Sequence, residues 1–488
     1  MNLNTIIQKV TKSPEKIKTD SRSVLPGDIF VAIKGYNEDG HIYTGEALRR
    51  GAEFVVCEDA SYNATDEEKK KIICVKDSRL SLAEMTKTAF CDPSKKLLTC
   101  GVTGTNGKTT TVYLIDSMFS AAGISSGFIS TVALKGINGD LEDAVMTTPD
   151  VVSINRLLAK MVELKGKAAV IEISSHALSQ NRMAGIGLDQ AVFTNITPEH
   201  LDYHKDMGSY LNDKMKIFNA LKDDGIGVLN TDDPASEIIL SKKNGLKFKT
   251  FGLKGTPDIK AEKIGYVNDR MRFILSSKKC GSTEIFSRVM GVHNVYNIMA
   301  AASCMICAGL DLEIAKKGAE EFRGVPGRLQ EVLSDAPFRV FVDYAHTPVA
   351  IVGLLECLRG LSEKRLICVF GCGGDRDKSK RPIMGKIVST LADKTVVTSD
   401  NSRTESSSDI IKQIREGMKG GKDEIAIEDR GEAIREAFKS ATDGDIVVIA
   451  GKGHEDYQII GNERYYFDDT VISKEILKEM GYYPGISG

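Results

Sequence analysis

Residues Gly101 to Thr111, GVTGTNGKTTT, have the types and spacing needed to hold a polyphosphate. Glycine-rich backbone turns its N–H groups toward an anion, and a following helix adds the positive end of its dipole. Lys108 would reach the β- and γ-phosphates, and the Thr109 hydroxyl would ligate Mg²⁺. The general pattern G-x-x-x-x-G-K-[ST] has glycine where Val102 stands, so it is met only in part. A second concentration of chemistry lies in the histidines, of which there are 7: His41, His176, His200, His204, His293, His346 and His454. Nearly all fall in polar clusters beside Gly, Asn, Asp and Arg, and none is expected mid-strand or mid-helix. A single loop histidine is usually a structural hydrogen-bonder; the concentration marks the set rather than any one member.

These groups need elements to position them. Leu97-Leu98-Thr99-Cys100 reads as the end of a buried strand, and TVYLIDSMFSAAG reads as a helix closed by Gly123. Strand, loop and helix in that order are what a phosphate loop requires. Upstream, IFVAI, EFVVCE and KIICV predict strands, EALRRG and SLAEMTKTAF predict helices, and the segments 20–22 and 34–41 predict polar loops. Downstream, AAVIE ends a strand near Glu172, LDQAVFTNI and IGVLN predict further strands, and SYLNDKMKIFNAL has helical spacing with Tyr210, Lys214 and Phe218 on one face. GVHNVYNIMAAASCMICAGL predicts a long buried helix. From about residue 331 strand and helix alternate as in a doubly wound parallel sheet. There the strand runs are FRVFV, RLICVF, DKTVVTS, EIAIE and DIVVIA. Four of them lead into polar loops, DYAHTP, GCGGDRDKSKRP, SDNSRTE and GKGHEDYQ, which this architecture would gather at one sheet end.

The 488 residues imply about three domains. A net charge of −2, from 65 basic and 67 acidic side chains, gives no bulk attraction for nucleic acid or membrane surfaces. No signal peptide and no membrane-spanning run is expected, and the 10 cysteines are scattered, most of them in apolar segments. The Cys304-x-x-Cys307 pair sits in the apolar helix and reads as core packing. A reducing, cytoplasmic compartment is expected.

Taken together, GTNGKTT, TTP, EISSH, HLDYH with Lys214 downstream, HNVYN, GR, DYAHTP, GGDRD and GKGHED resemble the Mur ligase family. These are ATP-dependent, amide-forming enzymes of peptidoglycan precursor synthesis, and the motifs extend over nearly the whole chain. The family's own loop pattern, G-x-T-G-T-N-G-K-[ST]-[ST], is met in full, which removes the Val102 discrepancy. The TDSR loop, HLDYH and GKGHEDYQ resemble the members that add the third peptide residue. The resemblance implies three α/β domains: a small UDP-sugar-binding domain over 1–96, a central P-loop ATPase domain with a mainly parallel sheet over 97–330, and a Rossmann-like amino-acid-binding domain over 331–488. It implies a monomer whose domains close over ATP and UDP-N-acetylmuramoyl-L-alanyl-D-glutamate. The D-glutamate side-chain carboxylate would attack the γ-phosphate, and the amine of the incoming residue would displace phosphate from the acyl phosphate. In many bacteria that residue is meso-2,6-diaminopimelate; L-lysine or another diamino acid is the alternative, and a nucleotide-binding regulator without ligase activity is the alternative of a different class. Folylpolyglutamate synthetase shares the ATPase plan, but its substrate has no UDP for the TDSR loop to hold.

The resemblance also assigns residues. Gly104, Thr105, Asn106, Gly107, Lys108, Thr109 and Thr110 would hold the phosphates, and Asn294, Asn297, Arg328 and Asp343 the rest of the nucleotide. Gln330 stands where the family often has Glu. Thr109 and Glu172 would hold one Mg²⁺; His200 and a carbamylated Lys214 would touch a second. Spacing alone leaves Lys216 as plausible as Lys214; the family pattern Tyr210-x-x-x-Lys214 selects the latter. Ser21, Arg22 and the His41 loop fall on the uridine side, and Thr147, Thr148, Ser174, Gln180 and Arg182 on the muramoyl-dipeptide, with turn capping an equal reading for Thr148. Arg376 and Arg403 are candidates for the diaminopimelate carboxylate, within GGDRD and the run Asp400-Asn401-Ser402-Arg403. Gly451 and Glu455 would hold the distal amino-carboxylate, Glu455 taking the ammonium. Diaminopimelate-adding members typically carry D-N-P-R; Ser402 in place of proline is expected to free the loop backbone.

Overall fold

Apolar runs of three to six residues bounded by glycine and polar turns give the chain its strands, and helices with one apolar stripe cover them. The computed structural model describes residues 3–35, 38–59, 64–144, 146–268, 270–361, 363–418 and 423–482, so Tyr36 and Asn37 of the 34–41 loop lie outside the described residues. The chain forms two compact units, Met1–Ile259 with Ala300–Ala315, and Lys260–Met299 with Lys316–Gly488.

The first unit holds two sheets. Ile17–Lys18, Ile29–Val31, Phe54–Cys57 and Ile72–Cys74 pair in parallel in chain order. In the larger sheet, Lys247–Gly252, Leu221–Asn230, Leu188–Phe193, Leu98–Thr103, Ala168–Glu172 and Ser126–Ile129 lie side by side in parallel. The antiparallel strands Ala133–Lys135 and Leu141–Asp143 extend the Ser126–Ile129 edge. The strand before the phosphate loop is therefore central, with Glu172 at the end of its immediate neighbour. Ile29, Phe54, Leu82, Ile154, Ile171 and Phe193 belong to one continuous apolar core.

The second unit contains a six-stranded sheet in the order Gln330–Val332, Arg339–Asp343, Ile446–Ala450, Leu366–Phe370, Lys394–Val397, Asp423–Ala426, parallel except for the first strand. Alternation along the central strand sends Ile446, Val448 and Ala450 to one face, beneath helices Pro348–Arg359, Lys380–Leu391 and Ser407–Glu416. Val447 and Ile449 point to the other, beneath Arg430–Ser440 and Asp469–Glu479. That is the doubly wound arrangement the sequence predicts, and it puts all four polar loops at the carboxyl ends of strands.

Several elements were not foreseen. Arg270–Ser277 and Gly281–Ser287 form an antiparallel pair, and Tyr457–Ile460 with Glu463–Tyr466 form a hairpin just after the GKGHE segment. The segment expected to be helical to residue 221 changes to a 3₁₀ turn over Lys216–Ala220 and enters a strand at Leu221. Three histidines sit on helices rather than on loops: His176 within the one-turn helix Ser175–Ser179, His204 at the end of Leu201–His204, and His293 in the first turn of Val292–Cys307. All ten cysteines are free thiols.

Candidate active site

The phosphate loop is shaped by glycine at two places. Gly104 has φ +150, and a Cβ there would fall 1.9 Å from the Thr194 hydroxyl; Gly107 has φ +83 and precedes helix Lys108–Ala121. The loop leans on the strand-end segment 194–197. Thr194 donates to the Asn106 carbonyl at 2.7 Å, the Asn106 N–H donates to Asn195 Oδ1 at 2.9 Å, and the Thr197 N–H donates to Thr105 Oγ1 at 3.0 Å. Lys108 Nζ folds back onto the Thr105 carbonyl at 2.7 Å. Thr109 Oγ1 donates to Glu172 Oε1 at 3.1 Å, and Thr131 donates to both oxygens of the same carboxylate, from its hydroxyl and its N–H, each at 2.9 Å. Thr147 lies next in this chain, its hydroxyl 3.0 Å from that of Thr131. Thr109 and Glu172, far apart in sequence, are thus joined directly.

Lys214 is buried beneath this loop, with Nζ 2.6 Å from the Gly104 carbonyl and 4.5 Å from the centre of the Tyr210 ring. Burial, reinforced by the nearby Lys108 charge, pulls its pKa well below the usual lysine value. Lys216 instead pairs with Asp213 at 2.6 Å on the surface. The two lysines that spacing left equal occupy different environments. His200, with a left-handed φ of +56, stacks edge-on to His176 at 4.8 Å, and His204 is held by Asp213 at 2.9 Å and Ser175 at 3.0 Å. No group of three or more His, Cys, Asp or Glu side chains suited to a metal occurs among the described residues.

On the UDP-sugar side, Ser21 donates to Glu46 Oε2 at 3.0 Å. The largely exposed Arg22 is held by Asp20 at 2.8 Å. His41 has both ring nitrogens engaged: Nε2 accepts from the Glu58 N–H at 2.9 Å, so Nδ1 carries the proton it shares with Asp39 at 2.6 Å. It orders its loop, and a ligand would meet the ring face or the loop backbone. The buried Thr148 hydroxyl donates to the Glu172 carbonyl at 2.9 Å and accepts from the Ser174 N–H at 3.0 Å. Ser174 caps its helix through the Ala177 N–H at 3.1 Å. Arg182 donates to Gln180 Oε1 at 2.7 Å and to the Thr148 carbonyl at 2.8 Å, while Gln180 donates to the Tyr203 hydroxyl at 3.3 Å. Arg79, unforeseen, donates to the Lys34 carbonyl at 2.7 Å and the Gln180 carbonyl at 3.3 Å, joining the two stretches expected to share the UDP-sugar substrate.

The remaining nucleotide candidates belong to the second unit. Asn297 donates to Asn294 Oδ1 at 3.0 Å, and Asn294 donates to the Met290 carbonyl at 2.7 Å. Arg328 lies over the Tyr344 ring at 4.3 Å, and its Nε is buried without a protein partner, as is His454 Nδ1. Burial pushes the Asp343 carboxyl up, although it accepts from the Leu329 N–H at 2.6 Å and the Ala345 N–H at 2.7 Å. Gln330 accepts from the Gly327 N–H at 2.7 Å, a role an amide oxygen fills as a carboxylate would. Gly327 is obligatory, since a Cβ would fall 2.0 Å from the His454 backbone nitrogen.

The loops of the second unit are laced together. Asn401 donates to Glu455 Oε2 at 2.8 Å, and its Oδ1 accepts from the Ile459 N–H at 2.9 Å. Arg403 Nη1 donates to the Gly374 carbonyl at 2.8 Å. Glu405 takes a two-bond contact from the buried Arg381 at 2.9 and 3.0 Å and the Asp375 N–H at 2.6 Å. Arg376 is exposed and donates to the neighbouring Asp375 carbonyl at 3.1 Å. The Gly451 N–H donates to the Asp343 carbonyl at 3.0 Å, and Lys380 donates to the His346 carbonyl at 3.0 Å, which brings the DYAHTP loop into the set. The expectation that Ser402 leaves the backbone loose is not met. Arg403, at φ +50, has its N–H on the Ile459 carbonyl at 3.1 Å, and its carbonyl accepts from the Gly461 N–H at 2.7 Å. The Ser402 carbonyl is packed where a Cβ on Gly374 would fall 1.8 Å away. Beneath the loops, Arg430 and Asp469 form a buried two-bond pair, both at 2.7 Å. Arg430 also donates to the Ser399 carbonyl at 3.2 Å and the Ala450 carbonyl at 3.1 Å, the points where two of the loops leave their strands.

Sequence reasoning missed Thr131, Arg79, Arg381, Arg430 and Lys452. Lys452 carried a signal in its place in GKGHE, and Arg381 in its place in GCGGDRDKSKRP; the others stand outside the motifs.

Three family profiles match: "Mur ligase family, catalytic domain" over residues 15–89, "Mur ligase middle domain" over 102–305, and "Mur ligase, glutamate ligase domain" over 327–453. A Clostridium botulinum protein named UDP-N-acetylmuramoyl-L-alanyl-D-glutamate--2,6-diaminopimelate ligase is 38% identical over 98% of this chain and 100% of its own length. A solved structure bearing the same enzyme name is 33% identical, covers 95% of each chain and superposes with a TM-score of 0.69. The fold is also that of a MurF ligase from Thermotoga maritima solved with ADP, at 20% identity, a TM-score of 0.63, and coverage of 96% of this chain and 97% of that one.

Proposed function

The chain belongs to the Mur ligase family, and from that premise we propose that it adds meso-2,6-diaminopimelate to the D-glutamate side-chain carboxylate of UDP-N-acetylmuramoyl-L-alanyl-D-glutamate, with ATP consumed to ADP and phosphate. It is an ATP-dependent ligase of peptidoglycan precursor synthesis. The observation that carries the choice of amino acid is the loop framework in which Arg403, Asn401 and Glu455 are tied together: a cation suited to a carboxylate, and an anion suited to an ammonium, on a fixed backbone.

The residues divide the work by charge. The carboxylate and the γ-phosphate are both anions, so their approach requires positive charge and exact placement more than a proton relay. Gly104 to Thr110 present backbone N–H groups and the helix N-terminus to the phosphates, and Lys108 leaves the Thr105 carbonyl to meet them. Thr109 and Glu172 offer the hydroxyl and carboxylate oxygens that suit Mg²⁺, already 3.1 Å apart, and would hold an ion whose chemistry there would be to add positive charge. Thr131 keeps the Glu172 carboxylate turned toward Thr109. Lys214, whose buried amine is held well below the usual lysine pKa, would add CO₂ with release of a proton to solvent to give a carbamate, and with His200 would offer oxygen and nitrogen ligands to a second Mg²⁺. Asn294, Asn297, Arg328 and Asp343 bind the nucleotide. Ser21, Arg22, Thr147, Gln180 and Arg182 hold the UDP-sugar and its dipeptide; Thr148, Ser174 and His41 shape those loops. Arg376, Arg403, Asp400, Asn401, Gly451 and Glu455 form the amino-acid site. The functional regions are 1–96, 97–330 and 331–488, and the enzyme works as a cytoplasmic monomer; no helix among the described residues is long and apolar enough to cross a membrane.

The test is coupling. Phosphate release from ATP by the purified protein requires the UDP-muramoyl-dipeptide and diaminopimelate together, and equal release without the amino acid would refute the assignment.

A further inference from the structure

Lys452 is a charged side chain with no access to solvent, in the middle of the amino-acid loops. Its Nζ donates to the Tyr457 carbonyl and to Asn401 Oδ1 at 3.4 Å. It stands 3.6 Å from Glu455 Oε2 and 3.9 Å from Asp400 Oδ1. The other charged or titratable groups facing this cluster are Arg430 and Asp469 from the two helices below, Arg403 from its own loop, His346 near Asp400, and Tyr344 and Tyr457 near Glu455. Arg430 and Asp469 neutralise each other through two bonds of 2.7 Å. With the Arg403 guanidinium assigned to the substrate carboxylate, that leaves two carboxylates, Asp400 and Glu455, against one ammonium. The cluster therefore has one negative charge in surplus, the complement of one substrate ammonium.

We propose that Lys452 is a positioning residue of the amino-acid site: its buried ammonium is the fixed countercharge that keeps Glu455 an anion, turned toward the ammonium of the incoming diamino acid. This rests on the assignment of Glu455 to that site. Without Lys452 the two carboxylates would share a poorly solvated pocket, and like charges so placed do not both ionise. Glu455 would be the one to take a proton: burial and Asp400 already push its carboxyl up, whereas Arg430 and Lys452 outweigh burial at Asp400. A neutral carboxyl cannot pair with the ammonium. Asn401 couples the two effects, since it accepts from Lys452 and donates to Glu455 at 2.8 Å.

Lys452→Gln separates charge from shape, because the amide retains a donor for the Tyr457 carbonyl. In the full enzyme the diaminopimelate KM of this variant rises about tenfold or more at pH 6.5, while those for ATP and the UDP-dipeptide stay within about twofold. The ratio of wild-type to variant kcat/KM for diaminopimelate falls as pH rises from about 6.5 to 8.5, as Glu455 regains its charge. Glu455→Gln has a large effect in wild type and little added effect in Lys452→Gln at pH 6.5. A ratio independent of pH, or additive effects in the double variant, overturns the proposal while leaving Glu455 in the site. An unchanged diaminopimelate KM for Glu455→Gln alone overturns the site assignment and the proposal together. If Lys452→Gln does not fold, carbon-13 NMR of labelled glutamate in the wild-type protein decides: Glu455 ionised at pH 7 supports the proposal, and Glu455 protonated there overturns it.

Discussion

Arg403 gives the sharpest test of amino-acid choice, because truncating it changes the side chain and leaves the backbone held. Its N–H and carbonyl stay paired with Ile459 and Gly461 at 3.1 and 2.7 Å whatever the side chain is. Arg403→Ala removes the Nη1 bond to the Gly374 carbonyl at 2.8 Å and the guanidinium offered to the substrate carboxylate. A charge-assisted bond contributes about 1.5–3 kcal/mol and a two-bond fork more, less what returning water recovers, so the loss is about 1.5–4 kcal/mol. At about 1.4 kcal/mol per decade, the diaminopimelate KM rises by roughly one to three orders of magnitude. Arg403→Lys, which retains the charge without the planar fork, falls between. The assay is steady-state phosphate release with diaminopimelate varied at saturating ATP and UDP-dipeptide. L-lysine is the internal control, since it lacks the distal carboxylate: its KM stays within about threefold, and preference for diaminopimelate collapses. An unchanged diaminopimelate KM, or equal losses for both amino acids, would refute the reasoning.

Lys214→Ala nearly abolishes turnover, and short-chain carboxylic acids restore part of it by placing an oxygen anion below the Gly104 carbonyl; full activity in the variant, or a wild-type rate insensitive to bicarbonate depletion, would remove the carbamate from the mechanism. Acid weakens the second unit through Glu405, whose carboxyl Arg381 holds at about 2 against an ordinary value of 4.5. A carboxyl lowered in the folded state stabilises above its unfolded pKa, and that contribution disappears as pH falls from about 4.5 to 2. Its size is on the order of 1 kcal/mol after solvent screening, and Glu405→Gln should flatten the acid limb of urea unfolding midpoints in that window; an identical limb in both proteins would discount the pair.

How far the molecule was legible depends on what each feature demands of the sequence. The phosphate loop announces itself because Gly104 and Gly107 occupy backbone states other residues resist. The doubly wound sheet is equally plain, because strands buried on both faces are continuous apolar runs such as IVVIA. The antiparallel pair over 270–287 was missed because its strands alternate buried with exposed residues and carry several charges. Arg381 and Arg430 were out of reach for another reason. Arg381 falls in the polar loop GCGGDRDKSKRP and Arg430 just before a helical run, and only the fold reveals that the partner of each, Glu405 or Asp469, arrives from a distant element to meet it. Ser402 misled in the opposite direction, since the rigidity attributed to proline is supplied by the backbone bridge between Arg403 and Ile460.

The Arg430–Asp469 pair bears on how such an enzyme changes its mind. By gripping the Ser399 and Ala450 carbonyls from below, it fixes where two loops begin through bonds to their backbone. Frame and message are therefore separate. On the proposed assignment, substitutions at 403 or 455 would alter which third residue is chosen while the loops keep their course, so a lineage could exchange one cell-wall amino acid for another in a few steps. Loss of the clamp would instead degrade recognition of every candidate amino acid alike, a variation on which selection for a new preference has nothing to work.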